Sequence, residues 1–236
     1  MHKKADKLYL ILSAIFIASL VGCNLIFLKF FSVDIPIPFY GYYTFEQSVG
    51  LLPYPITFLV TDIISEIYGR KKANDLVTAG LVASVFILIV VNVANVFPAA
   101  EWSNIKDTGF VDDKTFSHVF GLAGAMVFAS MVAYLFAQYI DVRLFHFWKR
   151  LTNGKHLWLR NNASTISSQL IDTSIVLLLL CYLGSIPWVD FWKLFFNGVL
   201  FKMFFAAFDT PFIYLITAHL RKKFNLKFGE EVSIHT

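Results

Sequence analysis

Charge is scarce in this chain. Acidic and basic residues together make up 15% of its 236 positions, where a soluble domain usually carries about 25%. So small a supply cannot cover a soluble domain that is 57% hydrophobic and rich in Phe. Cysteine is scarcer still, with Cys23 and Cys181 alone. Both fall in the expected outer halves of apolar helices, and nothing argues for a disulfide. The six histidines show no ligand spacing, so neither a metal nor a cofactor is implied. Also missing are an HExxH metal motif, a GxSxG nucleophile turn and a phosphate-binding loop, which argues against an enzyme. The net charge of +4 does not point to nucleic acid. Its basic residues form short clusters beside apolar runs.

What is present is a set of six long apolar stretches, at 8–28, 48–68, 76–97, 116–139, 163–184 and 194–220. A helix needs roughly 20 apolar residues to cross the hydrocarbon. The fold class expected is therefore all-α: a polytopic membrane protein with six transmembrane helices in one bundle. Little remains for a soluble domain, so residues 1–236 read as a single membrane domain. Cytoplasmic loops attract Lys and Arg. Lys3, Lys4 and Lys7 precede the first stretch, and Arg70, Lys71 and Lys72 lie between the second and third. Arg143, Lys149, Arg150, Lys155 and Arg160 lie between the fourth and fifth, and Arg221, Lys222, Lys223 and Lys227 follow the sixth. Fifteen of the 20 basic residues thus fall on one side. The opposite gaps hold Lys29, Lys106, Lys114 and Lys193 with the acids Asp34, Glu46, Glu101, Asp107, Asp112, Asp113 and Asp190. Both termini are expected in the cytoplasm, with the chain multi-pass in a cell inner membrane. The first stretch is too long for a signal peptide and no A-x-A site follows it, so it reads as an uncleaved helix.

Two gaps are long. Residues 98–115 form an acidic external loop. Residues 142–160 mix Phe145, Phe147, Trp148 and Trp158 with five basic residues, which places this loop at the headgroups, rings at the interface and cations toward anionic lipid. Pro53 and Pro55 open the second stretch. Pro211 should interrupt the sixth, since an interior proline removes one hydrogen bond and clashes with the carbonyl of Ala207. Broken helices often mark transporter sites. Ala14 and Ala18 form a small-xxx-small pair. Packing against another helix of the same chain is the favoured reading, and a second copy in a homodimer the alternative. The second and fifth stretches each hold a central Asp, which suits inverted repeats, but too few letters match to establish one.

Carboxylates deep in apolar helices are the functional candidates. Each residue rises about 1.5 Å along a helix, so Asp62, eight residues before Arg70, lies about 12 Å inside. Asp172, twelve after Arg160, and Asp209, twelve before Arg221, both lie about 18 Å inside. An ionisable group at such depth costs roughly 2.5–3.5 kcal/mol on insertion scales and usually faces a pathway or site. Thr165, Gln169 and Asp172 fall at i, i+4 and i+7 on one helix face, with Ser168 beside Asp172. Asp62, Glu66 and Arg70 form an i, i+4 ladder, in which Glu66 either joins the site or pairs with Arg70. Lys202, seven residues before Asp209 on about the same face, is placed to offset a carboxylate, to donate to a ligand, or to snorkel outward. Asn24, Asn92, Asn95 and Asn197 fall in the outer third, lining a vestibule or bonding between helices.

Such a pocket suits a planar heterocycle. A carboxylate accepts two parallel N–H bonds, Gln or Lys donates to a ring carbonyl, and aromatic rings stack on its faces. Guanine-like molecules carry that edge pattern, and a cationic or proton-coupled substrate also fits the composition. Two stretches, LPYPITFLVTDIISEIYGRKKA at 52–73 and WLRNNASTISSQLIDT at 158–173, resemble the queuosine precursor transporter family, also called the vitamin uptake transporter family. The six-helix layout is similar over nearly the whole chain. The resemblance implies uptake of 7-deazaguanines, such as 7-cyano-7-deazaguanine or its aminomethyl relative, for the modified tRNA base queuosine. Thr61, Asp62, Glu66, Arg70, Asn161, Asn162, Ser164, Gln169 and Asp172 are the positions that match its motifs. The substrate-binding set expected is therefore Asp62, Glu66, Asn162, Thr165, Gln169, Asp172, Asn197, Lys202 and Asp209. Alternating access by this chain alone, proton-coupled or facilitated, competes with a second reading, the substrate-binding subunit of an energy-coupling-factor importer. An intramembrane enzyme or scaffold is the third, and a scaffold needs no acids at that depth.

Overall fold

The apolar stretches fold as helices, joined by turns whose residues explain where each helix stops. The computed structural model describes residues 2–27, 29–38, 41–100, 111–121, 124–153, 155–227 and 230–232. Helix α1 spans His2–Ile26. Strands β1 (Phe30–Ile37) and β2 (Gly41–Ser48) pair antiparallel, with Phe30 opposite Ser48 and Ile37 opposite Gly41. A 3-10 turn at Val49–Leu51 leads into α2, Tyr54–Ile67. Pro53 caps α2 and Pro55 sits in its first turn, where a missing N–H costs nothing. Helix α3 (Gly69–Val96) follows after a single residue. The reversal needs Gly69 at φ +82°, a conformation that costs glycine little.

A short helix, α4 (Asp113–Phe116), is N-capped by the Asp112 side chain and runs into one π turn, Ser117–Gly121. Helix α5 spans Gly124–Leu151, α6 Leu157–Tyr182 and α7 Phe191–Phe224. Asn153 and His156 take positive φ in the α5–α6 turn, and Asn225 does so at the end of α7. Asn is one of the few residues that tolerate it readily.

Helix α2 is the centre of the bundle. It packs against α1, α3, α5 and α7, and ten of its 14 residues are buried. Ile63, Ile64 and Ile67 join Phe16, Val77, Phe145, Ile213 and Phe224 in the apolar core. The outside of the bundle is as apolar as its inside. Leu10, Ile15, Val82, Phe86, Ile89, Phe204, Phe208 and Leu215 are exposed, while Asp62, Glu66, Gln138, Asp141, Arg160, Gln169, Asp172 and Lys202 are buried. That inversion suits lipid and not water as the surrounding solvent. Among the described residues, five helices are long and apolar enough to cross a membrane: Lys4–Ile26, Val49–Ile67, Gly69–Val96, Leu157–Tyr182 and Trp188–Phe224. The 28-residue α5 is a further long helix, and part of its side chains lie outside the description. The all-α membrane class holds, with the β1–β2 hairpin as an addition.

Several sequence expectations change. The fourth apolar stretch, 116–139, predicts a helix that in fact starts at Gly124 and runs to Leu151. The 142–160 segment is therefore mostly the end of α5 and the start of α6. Phe147 and Trp158 are exposed as an interfacial role requires, but Phe145 and Arg160 are fully buried and do not reach lipid. Pro211 lies inside an uninterrupted α7. Ala14 and Ala18 are both exposed, so the pair does not seat a helix of this chain. The close approach is made elsewhere: a side-chain carbon added at Gly80 of α3 would stand 2.6 Å from the Phe16 ring and 3.0 Å from Leu20. Glu101, Lys106 and Asp107 of the acidic loop lie outside the described residues.

Candidate functional site

At the end of the bundle opposite the chain termini lies a cavity of about 650 Å³, counting the space at its mouth. Its walls come from the end of α1 (Cys23, Asn24), the hairpin (Gln47, Ser48), the start of α2 (Tyr54), and α6 and α7 (Asp172, Thr173, Lys202). Asp172 and Lys202 are its two charged lining residues. The Lys202 ammonium donates to Asp172 Oδ2 at 2.7 Å and to Thr173 Oγ1 at 2.9 Å. The Tyr54 hydroxyl donates to the same carboxylate oxygen at 2.9 Å, and Lys202 also stands 4.8 Å above the Tyr54 ring. Asp172 is thus neutralised by a buried ion pair, yet its Oδ1 has no partner among the described residues. The Asn24 amide nitrogen, in the same lining, also has none. One acceptor and one donor therefore remain open in a cavity of zero net side-chain charge.

The hairpin roofs this cavity because three residues pin it to α7. Asn197 accepts from the Tyr43 hydroxyl and donates to the Glu46 carbonyl at 3.2 Å. Lys193 pairs with Glu46 at 2.7 Å. Phe45 stacks on Phe201 with centroids 6.3 Å apart. Gly198 allows the close approach: a side-chain carbon there would lie 3.1 Å from Gln47 Nε2 and 3.2 Å from Thr173.

A smaller cavity of about 270 Å³ continues below, lined by Thr165, Gln169, Phe205 and Asp209. Tyr54 and Lys202 line both cavities and form the partition. Gln169 is 3% exposed and neither atom of its amide has a partner. Asp209 is half-buried. Asn162 donates to Thr210 Oγ1 at 2.8 Å and to the Trp158 carbonyl at 2.9 Å.

The three acids proposed to meet are therefore split. The Asp172–Lys202 contact fixes one level, and Asp209 lies seven residues along α7 from it, about 10 Å lower. Asp62 lines neither cavity. The depth argument fails for Asp172 and Asp209 because their markers are not at the surface: Arg160 is 0% and Arg221 9% exposed, and their guanidinium groups turn inward onto Glu66. Glu66 takes Arg160 at 2.5 Å, Arg221 in a short contact, and Lys149 at 3.8 Å. It neither lines the cavities nor pairs with Arg70, which is exposed. Lys149 also takes Glu231 of the tail at 3.0 Å. Of the nine expected residues, Asp172 and Lys202 line the larger cavity, and Lys202 with Thr165, Gln169 and Asp209 lines the smaller. Asn197 holds the roof, Asn162 ties α6 to α7, and Asp62 and Glu66 lie elsewhere.

Sequence reasoning missed Asp141. It is fully buried and accepts from Ser168 Oγ at 3.1 Å. It falls between the fourth apolar stretch, 116–139, and the segment at 142–160, so depth counted within the stretches never reaches it. A signal existed: Tyr134, Gln138 and Asp141 repeat the i, i+4, i+7 spacing of Thr165, Gln169 and Asp172. Tyr54 was also missed, since an aromatic at a helix start reads as an interface anchor.

Comparisons with known proteins place the sequence among transporters by name. A family described as "Putative vitamin uptake transporter" matches residues 48–216. A protein of Bacillus subtilis (strain 168) named "Probable queuosine precursor transporter" is 28% identical over 71% of this chain and 70% of its own length. The "Queuosine precursor transporter" of Escherichia coli (strain K12) is 27% identical over 68% of this chain and 65% of its own. A third relative, from Haemophilus influenzae, is 26% identical over 69% of this chain and 64% of its own length, and is named a "Probable queuosine precursor transporter". No solved structure matches the chain significantly.

Proposed function

The chain belongs to the vitamin uptake transporter family, and from that premise we propose that it carries a 7-deazaguanine precursor of queuosine across the cell inner membrane. It acts as a single six-helix membrane domain with both termini in the cytoplasm. The substrate is 7-cyano-7-deazaguanine or its aminomethyl relative. The observation that carries the reading is the free Asp172 Oδ1 in the cavity beneath the hairpin. A ring N–H can donate to it, and Asn24 opposite supplies a donor for a ring carbonyl. Because Lys202 already neutralises Asp172, the site suits a neutral heterocycle better than a cation.

Alternating access then opens the cavity to each side in turn around the Tyr54–Lys202 partition. Calorimetric titration of the purified chain with 7-cyano-7-deazaguanine tests the reading. Binding by the native chain, lost by at least about tenfold in Asp172→Asn, is expected, since removing a charged hydrogen-bond acceptor costs about 1.5–3 kcal/mol. Equal affinity in both would remove Asp172 from the site.

One observation favours a second reading, the binding subunit of a larger importer. Ala14 and Ala18 are exposed on α1 and offer a partner helix, or a second copy of the chain, a close approach. Liposomes containing this chain alone separate the two: uptake supports the transporter, and binding without turnover supports the subunit.

A further inference from the structure

Asp62 and Asp141 stand apart from both cavities, and the substrate reading uses neither. Both are almost fully buried, at 2% and 0% exposure. Asp62 comes from α2 and Asp141 from α5. Helices α2 and α5 run side by side: the Phe58 and Tyr134 rings lie 6.1 Å apart and Glu66 meets Lys149 at 3.8 Å, which brackets Asp62 and Asp141 between the two contacts. Asp209 on α7, Arg160 on α6 and Glu66 are the other charged groups around Asp62. The cation of that group, Arg160, is already engaged by Glu66 at 2.5 Å. Asp141 accepts instead from the Ser168 hydroxyl on α6, at 3.1 Å. Asp62 Oδ1 and Asp141 Oδ2 are both buried without a hydrogen-bond partner.

Two neighbouring carboxylates removed from water cannot both stay ionised, because like charges repel strongly at low dielectric and desolvation opposes each charge. Such a pair can therefore hold a proton, and an orphaned oxygen on each acid gives it two places to sit. The pair is not isolated from the transport path. Ser168, which donates to Asp141, is the α6 neighbour of Gln169, and Gln169 lines the smaller cavity with Asp209, its buried amide without a partner among the described residues. Lys202 and Tyr54 complete that cavity and contact Asp172. A polar line thus runs from the substrate carboxylate, past Gln169 and Ser168, to the buried acid pair.

We propose that Asp62 and Asp141 form a proton-binding site that couples substrate movement to a proton gradient. This rests on the transporter reading. One proton joins a carboxylate when the path is open outward, travels as the neutral carboxylic acid, and leaves to the cytoplasm when it opens inward. No electron moves and no other ion is required.

Two measurements on the purified full chain in liposomes test it. Infrared difference spectra at neutral pH should show a protonated carboxylic acid band without any substrate. Asp62→Asn and Asp141→Asn should each remove it, and Ser168→Ala should shift its frequency while leaving both acids in place. No such band, or one unchanged in all three variants, overturns the proposal. For transport, a one-unit pH gradient, acid outside, should raise 7-cyano-7-deazaguanine accumulation about tenfold per proton carried. Asp141→Asn should keep exchange of internal for external substrate and lose this accumulation. Accumulation that survives in Asp141→Asn, or that follows a sodium gradient, also overturns it. Absence of substrate binding by the native chain would sink the transporter reading, while the infrared band would still report on the acid pair.

Discussion

Lys202 is the residue on which the larger cavity's electrostatics turn. It is 8% exposed and neutralises Asp172 through the 2.7 Å contact. Breaking a buried pair by removing one member strands the other charge and costs about 3–5 kcal/mol. Lys202→Met should therefore lower the unfolding temperature in detergent by several degrees. The double variant Lys202→Met with Asp172→Asn should recover most of that loss, because no charge is left stranded, and still bind no 7-deazaguanine. If the double variant is no more stable than the single one, the pair is not the source of the cost. The spacing of Lys202 from Asp209 suggested a shared face. The structure shows that Lys202 chooses Asp172, on a different helix, because α6 and α7 bring those two to one level.

At the scale of elements, the hairpin matters most. It was read as an external loop, although its residues alternate and are rich in aromatics and β-branched side chains, from Phe30 to Ile37 and again from Gly41 to Ser48. That is the ordinary strand signature. It was hidden by its position between two membrane stretches, where a short loop is the default. An isolated two-stranded hairpin is marginal in water, so its order depends on α7. Asn197→Ala removes both the acceptor for Tyr43 and the donor to Glu46. The expected outcome is faster hydrogen exchange across 30–48 with little change in α3 or α6, read by mass spectrometry, together with weaker ligand binding. Unchanged exchange in the hairpin would show that Lys193 and Phe201 hold the roof without Asn197.

At the scale of the whole molecule, charge is arranged twice. Exposed Lys and Arg cluster at the ends of helices, and three further cations turn inward onto Glu66. Arg160, Arg221 and Lys149 come from α6, α7 and α5, and Glu66 from α2, so one carboxylate joins four helices. Glu66→Gln removes the charge that these three buried cations share. A destabilisation of about 3–5 kcal/mol is expected, read as a lower unfolding temperature and a smaller folded yield. A variant as stable as the native chain would show that the cations find water instead. The proposed topology is tested separately. In a chain with Cys23 and Cys181 replaced, Ser32→Cys should react with an impermeant thiol reagent in intact cells, and Lys223→Cys should react only after permeabilisation.

The sequence by itself determined the class of molecule, most helix positions and the family. Apolar length and charge placement report directly on the solvent, and a membrane tolerates few solutions to the burial of a peptide backbone. It also marked Asp172, Gln169, Thr165, Asp209 and Lys202 as residues too polar for their depth. What the tertiary structure alone decided was how they partition. Depth counted along separate helices assumes a common zero. The long side chains of Arg160 and Arg221 erased it by reaching inward to Glu66, so acids that looked level lie at different heights. Asp141 was hidden for a related reason: a helix end is set by what caps and packs around it, and α5 continues past its apolar stretch because polar partners on α6 meet it there.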